Sequence, residues 1–207
     1  MSAPAKLPGS LNANRRLDRW LRFNPDRTVT VYTGKVEIGQ GIVTAMAQIA
    51  AEELDVALTR VRMVSGDTAL TPDEGHTSGS RSIDEGGSAL RYACAESRHL
   101  LLQAASQRLD IPLDKLIIED GVITGLDRIR KLSYWELPHA ELLDREATAS
   151  VKPKPAARHT IVGANAARLD IPAKATGTPR FVQDLELPGS LAGALITAAP
   201  WRRAAPL

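Results

Sequence analysis

TVTVYTGKVEIGQGIVTAMAQIAAEEL, residues 28–54, decides the fold of this chain. Thr28 to Thr33 alternates and is rich in β-branched residues, which predicts a strand. From Ile42 the period changes. Ile42, Met46, Ile49 and Ala50 fall on one face of a helix running to Leu54. Ala45, Ala47, Ala50 and Ala51 suit close packing on a sheet. Between strand and helix lies Gly34-Lys35-Val36-Glu37-Ile38-Gly39-Gln40-Gly41. Such a turn can hold an anion, because glycines admit a ligand close to the backbone and first-turn N–H groups point at it. Gly39, Gln40 and Gly41 are therefore candidate ligand-binding residues. By itself a Gly-rich strand-to-helix turn is usually only a turn. Gln40 can offer its amide to a phosphate, a carbonyl or a metal-bound oxo group, or it can cap the loop and face water.

A second opening follows at Thr77-Ser78-Gly79-Ser80-Arg81-Ser82. Ser78, Gly79, Ser80 and Ser82 bring hydroxyls and free main chain to the start of a helix predicted over Ser82 to Leu109. Ser82 and Glu85 have the S-x-x-E spacing of a capping box, with Asp84 in the same turn. Ile83, Leu90, Cys94, Leu101 and Ala105 line its inner face, and Arg108 and Pro112 mark its end. One helix N-terminus contributes only about 0.3–2 kcal/mol toward an anion, so tight binding needs several converging donors.

Elsewhere, Val61 to Ser65 is predicted as a strand and 66–75 as a loop. Leu116 to Thr124 is predicted as a hairpin turning at Asp120-Gly121, followed by a short helix near Ser133 to Leu143. Residues 1–27 lack either period and are expected to be a lead-in. Residues 1–150 make the main segment, and Val151-Lys-Pro-Lys-Pro155 begins an extended linker over 151–160. Residues 161–207 turn rich in Pro, Gly and Ala, with strand-like patches at Arg180 to Gln183 and Gly193 to Thr197. That stretch is too short for an independent core. LPGSL occurs at 7–11 and again at 187–191, but the flanks do not match.

The 207 residues are 43% hydrophobic and 24% charged, ordinary for a globular protein. Only 4% are aromatic, so Leu, Ile, Val and Ala must build the core. The 26 basic and 24 acidic residues nearly cancel, which argues against a nucleic-acid binder. The single cysteine, Cys94, excludes an intrachain disulfide and a cysteine-ligated iron–sulfur cluster. His76, His99, His139 and His159 share no metal-ligand spacing, and Glu52 and Glu53 are read as structural. No residue is nominated as a catalytic group or a metal ligand. No apolar run reaches the length of a membrane span, and the start lacks a secretory pattern. The expectation is a cytoplasmic chain, unless a partner carries it to the periplasm.

GKVEIGQGIVTAMAQIAAEELDV (34–56) and VRMVSGDTALTPDEGHTSGSRSIDEGGSALRYACAE (61–96) resemble a molybdopterin-binding segment of the molybdenum hydroxylases, the xanthine dehydrogenase and aldehyde oxidase family. The wording is most similar to large subunits of the nicotinate dehydrogenase and isoquinoline 1-oxidoreductase type. RLDIPAKATGTPRFVQDLELPGSLAGAL (168–195) resembles the opening of that family's α/β hammerhead domain. The resemblance implies an α+β fold: a mixed sheet packed by two main helices, then an incomplete hammerhead. It places Gln40 beside a molybdenum centre and Ser78, Gly79, Ser80 and Ser82 around the pterin, while Arg81 departs from the small residue usual there. The implied cofactor is molybdopterin, in the cytosine dinucleotide form, with molybdenum. The implied reaction hydroxylates an aldehyde or an N-heteroaromatic carbon with oxygen from water. A catalytic glutamate would come from the remainder of the large subunit or a second chain, and iron–sulfur clusters from a small partner subunit. The chain alone is expected to be inert. The alternative is a non-catalytic fragment that packs against a partner and binds no cofactor.

Overall fold

Strands β1 (Leu21–Phe23), β2 (Val29–Thr33) and β3 (Val61–Ser65) form a mixed three-stranded sheet in that order in the computed structural model, which describes residues 6–178, 181–191 and 193–194. β1 runs antiparallel to β2, with Leu21 opposite Val31. β2 and β3 are parallel, with Val29 opposite Val61 and Thr33 opposite Ser65. A parallel pair needs a crossover, and helix α1 (Ile42–Leu54) supplies it. Each residue of β2 is buried, whereas only Val61 is buried in β3.

The predicted lead-in is a correction. Leu7, Leu11, Leu17, Trp20, Leu21 and Phe23 all belong to the core. Leu11 and Leu17 reach it from two single-turn 3₁₀ helices, Gly9–Asn12 and Leu17–Arg19, Leu21 and Phe23 from the three-residue β1, Trp20 from the C-cap of the second turn, and Leu7 from the chain before the first. Segments that short show no helical or strand period, so their apolar residues look scattered in the sequence.

Helix α2 (Ser88–Leu109) packs on α1, and both helices bring small residues to the core, Ala47, Ala50 and Ala51 from α1 and Ala89, Ala93 and Cys94 from α2. Leu90, Cys94, Leu101 and Ala105 are buried as predicted. The start differs. A π-helical turn, Ser82–Gly87, precedes α2, Arg81 stands at its N-cap, and no side chain caps it. The predicted Ser82 capping box does not form, and Ile83 is exposed. The wider turn brings Gly86 against α1. A Cβ on Gly86 would lie 2.6 Å from Glu74 Oε1 and 3.1 Å from Met46 Cε. A larger residue would have to push the Glu74 carboxylate and Met46 aside, and the wider hydrogen-bond step moves Ile83 off the inner face.

A second sheet, β4 (Leu116–Glu119), β5 (Val122–Gly125) and β6 (Lys131–Ser133), is antiparallel throughout. Its first hairpin turns at Asp120-Gly121 as predicted; β6 was not predicted. The described residues thus form two small sheets where one was expected. Tyr134, in the 3₁₀ turn after β6, is wholly buried and donates its hydroxyl to the Leu54 carbonyl at 2.9 Å. A short helix, α3 (His139–Leu143), follows.

Residues 147–162 lie along α1 and α2, held by three buried glutamates. Glu96 accepts the backbone N–H of Thr148 at 3.0 Å and of Ala149 at 2.9 Å. Glu53 accepts that of Lys154 at 3.0 Å and also pairs with Arg91. Glu52 Oε2 accepts those of Thr160, Ile161 and Val162 at 2.8, 2.6 and 3.0 Å. Within the expected linker, Pro155 to Arg158 are exposed, but the Lys154 side chain is buried and pairs with Asp55 and Glu52.

The first compact unit ends at Ile171 and the second runs from Pro172. Helix α4 (Ile171–Ala175) and a 3₁₀ turn, Val182–Asp184, are the only regular elements among the described residues from 171 on. The strand expected at Arg180 to Gln183 is therefore replaced by a turn where it is described. Most of the one expected at Gly193 to Thr197 lies outside the described residues. No helix among the described residues is long and apolar enough to cross a membrane.

Candidate functional site

The loop between β2 and α1 folds onto itself. Gly41 is the N-cap of α1 with φ 83°, a left-handed conformation natural to glycine. Glu37 turns its carboxylate back onto the helix start. Its Oε1 accepts the N–H groups of Gly39 and Gly41, each at 2.9 Å, and its Oε2 accepts that of Val43 at 3.3 Å. Burial alone would raise the Glu37 pKa; the hydrogen bonds from Gly41, Val43 and Gly39 outweigh it and hold the carboxylate below its ordinary range. Gln40 is exposed, and its amide serves the same loop. Its Oε1 accepts the Ile38 N–H at 2.7 Å, and its Nε2 donates to the Val36 carbonyl at 2.9 Å. Arg168 closes the loop from outside, donating to the Gly39 carbonyl at 2.8 Å and to Glu37 at 3.2 Å.

The base of this loop is joined to the second one through a buried frame. Lys35, 1% exposed, donates its ammonium to the carbonyls of Glu74 at 2.6 Å and His76 at 3.2 Å. The Glu74 carboxylate, also buried, accepts from the Ser10 and Thr33 hydroxyls and from the Gly34 N–H. The Val36 N–H donates to the Thr77 hydroxyl at 2.9 Å. These bonds fix residues 34–36 against 74–77 and frame a cleft of about 360 Å³ lined by Gly34, Val36, Gly66, Thr71, Pro72 and Glu74.

Ser78, Gly79 and Ser80 stand exposed beyond that frame, and Ser82 is half-buried. None of the three serine hydroxyls makes a hydrogen bond to a described residue. Gly79 and Ser80 both have positive φ, 63° and 57°, so this segment is a tight left-handed turn. Arg81 pairs with Glu85 at 3.4 Å, at the protein surface. The frame thus brings together the bases of the two predicted segments, through Lys35, Val36, Glu74 and Thr77. All four, with Glu37 and Arg168, were missed as site residues. Glu37 had a local signal, a carboxylate four residues before the helix N-cap. Arg168 is far away in sequence and had none.

The N–H groups of Val36, Ile38, Gly39 and Gly41 already have partners within the chain, so a cofactor whose contacts are chiefly to hydroxyls and to the main chain of 78–82 fits this surface. Its serine hydroxyls bond no described residue, and a Cβ placed on Gly39 would meet nothing within 4 Å. Among the described residues, no three His, Cys, Asp or Glu side chains gather as metal ligands.

The chain matches the family described as the molybdopterin cofactor-binding domain over residues 4–173, and it belongs to that family. It is 37% identical over 182 residues to a nicotinate dehydrogenase subunit of Pseudomonas putida, covering 88% of this chain and 15% of that one. It is 27% identical over 211 residues to the beta subunit of isoquinoline 1-oxidoreductase of Brevundimonas diminuta, covering 83% of this chain and 27% of that one. The resemblance to molybdenum hydroxylase large subunits therefore holds. Among solved structures, quinoline 2-oxidoreductase from Pseudomonas putida 86 superposes with a TM-score of 0.47 at 30% identity, over 56% of this chain and 15% of that one. The chain thus spans only 15% and 27% of the length of these two curated relatives.

Proposed function

We propose that this chain is the molybdopterin-holding portion of an oxidoreductase that hydroxylates aldehydes or N-heteroaromatic compounds with oxygen from water. The observation that carries the reading is the pairing of two ligand-accessible loops, 36–41 and 77–82, on one buried Lys35–Glu74 frame within a domain of this family. When bound, the cofactor supplies the redox and oxygen-transfer chemistry. The chain supplies position. Gly39, Gln40 and Gly41 lie toward the molybdenum end, with the remaining Gln40 amide N–H as donor. Ser78, Gly79, Ser80 and Ser82 embrace the pterin through hydroxyls and main chain. A cytosine dinucleotide form of the cofactor, a glutamate from the rest of the large subunit or a second chain, and iron–sulfur clusters on a small partner subunit complete the proposed assembly. Residues from 161 on begin the hammerhead in this reading.

The test is cofactor content. The chain, expressed as part of the complete large subunit with its small subunit, should retain molybdopterin, and Ser78→Ala with Ser80→Ala should reduce it. Unchanged pterin content in that double variant would remove these serines from the site. A second reading has its own support: the Gln40 amide is engaged at both ends within its loop. There Gln40 only shapes the turn, and the chain packs against a partner without cofactor. Gln40→Ala then lowers the melting temperature and leaves the pterin content of the assembly untouched.

A further inference from the structure

We infer that Arg168 and Glu37 are positioning residues for the 36–41 loop, forming a clasp that keeps the loop set for the cofactor. The inference rests on the reading of that loop as part of the cofactor site. The geometry stands independently. The Arg168 guanidinium is itself aimed by Asp170, which accepts from Nε at 3.0 Å and from Nη2 at 2.7 Å. So oriented, it donates to the Gly39 carbonyl and to the Glu37 carboxylate. Its neighbour Leu169 donates its N–H to Thr44 Oγ1 in the first turn of α1 at 3.0 Å. Upstream, Gln48 donates to the carbonyls of Ile161 and Ala164 at 2.8 and 3.0 Å. Residues 161–170 therefore lie along α1 and end on the loop.

Two consequences follow. First, the amides of Gly41 and Val43 already face a carboxylate of their own chain. An incoming anion gains little from this helix start, and the α1 N-terminus organises the loop rather than binding the ligand. Second, the loop's shape depends on a residue far along the chain. Gly39 has φ 105°, and the exposed Gln40 is held, among the described residues, by its bonds to Val36 and Ile38. The Gly39 carbonyl next to it is held by Arg168. Without that donor the turn regains freedom, and a loop that must be ordered on binding holds its ligand less well.

The experiment uses the full chain with Arg168→Ala, Arg168→Lys and, as a control, Arg158→Ala at an exposed position. Amide hydrogen exchange is measured over residues 36–44, beside a thermal melt. The same variants in the complete assembly are then assayed for retained molybdopterin as fluorescent oxidised pterin. Arg168→Ala should exchange several-fold faster over 36–44 than the control at a similar melting temperature, and should lose at least half of its pterin. Arg168→Lys, which keeps the charge but not the fork, should fall between. Unchanged exchange in Arg168→Ala would overturn the clasp. Faster exchange with full pterin content would overturn its role toward the cofactor. Absence of pterin from the wild-type assembly would defeat the cofactor reading itself, while the exchange arm still decides the clasp.

Discussion

The Glu37 carboxylate accepts the backbone N–H of Gly41, the residue that caps α1, at 2.9 Å. A helix start that looks open in sequence is thus closed by a side chain four residues upstream. Glu37→Gln keeps the shape but removes the charge from three amides and from Arg168. It should cost about 0.5–2 kcal/mol, the usual worth of a cap. Urea titration of the chain checks this. An equal stability in the variant would mean that the contact contributes nothing in solution.

Residues 147–162 form a strap along α1 and α2, and Glu52 carries its heaviest structural load. Its side chain is 2% exposed, and it receives three successive N–H groups and the Lys154 ammonium. Glu52→Ala leaves those three N–H groups without their acceptor, while Lys154 keeps Asp55 and the main-chain carbonyl of residue 52, at a cost of about 1–3 kcal/mol. Loss of stability should come with fast exchange at residues 160–162. Normal protection there would show that the strap is held by other means.

The same group sets a pH dependence. Burial opposes the Glu52 charge, but the hydrogen bonds from Ile161, Val162 and Thr160, with Lys154, outweigh it and lower the pKa below its ordinary 4.5. Glu37 is shifted the same way. The folded chain therefore binds protons less readily than the unfolded one. Their stabilisation is fully present above the unfolded-state pKa and is lost as pH falls through the lower, folded value. Urea midpoints should fall modestly below about pH 6.5, where His139, whose pKa burial lowers, takes a proton more readily in the unfolded chain, and fall further below about pH 4. A midpoint that rises on acidification would contradict this sign.

Cys94 is wholly buried on α2, and burial, with the nearby Glu53 charge, pushes its thiol well above the usual range. The thiolate is the reactive species. A thiol reagent should therefore leave the native chain unmodified and label it stoichiometrically in denaturant. Rapid labelling of native protein would mean that α2 opens locally.

Much of this architecture was legible in the sequence because it rests on periodicity. β2, α1, β3, α2 and the Asp120-Gly121 hairpin carry enough residues to show a period. What stayed hidden has two physical causes. Leu11 and Leu17 reach the core from single turns, Trp20 does so from the C-cap of one, and β6 is three residues long, so no period could form. Ser82 and Glu85 satisfied the spacing rule for a capping box, yet Gly86 and Gly87 let the chain widen into a π turn that puts Arg81 at the N-cap. The site was half legible. The glycines and serines announced two accessible loops. The Lys35–Glu74 frame and the Arg168 clasp join residues dozens to more than a hundred positions apart, and single-sequence reading has no signal for such pairs.

Gly79 separates turn from ligand. It has φ 63°, and a Cβ there would meet only the Arg81 side chain, at 3.6 Å. Gly79→Ala should cost about 1–2 kcal/mol through backbone conformation alone. Gly79→Val should cost more and also reduce pterin retention in the assembly. A valine variant that melts early yet keeps its cofactor would assign this glycine to the turn only.

The central claim is that residues 36–41 and 77–82 hold a molybdopterin. The most direct measurement is pterin and molybdenum content of the purified complete assembly, wild type beside a variant carrying Gln40→Ala, Ser78→Ala and Ser80→Ala. The account predicts near-stoichiometric pterin and molybdenum in the wild type and a marked loss of pterin in the triple variant, with the assembly intact by size. Equal pterin in both, or none in the wild type, would contradict it.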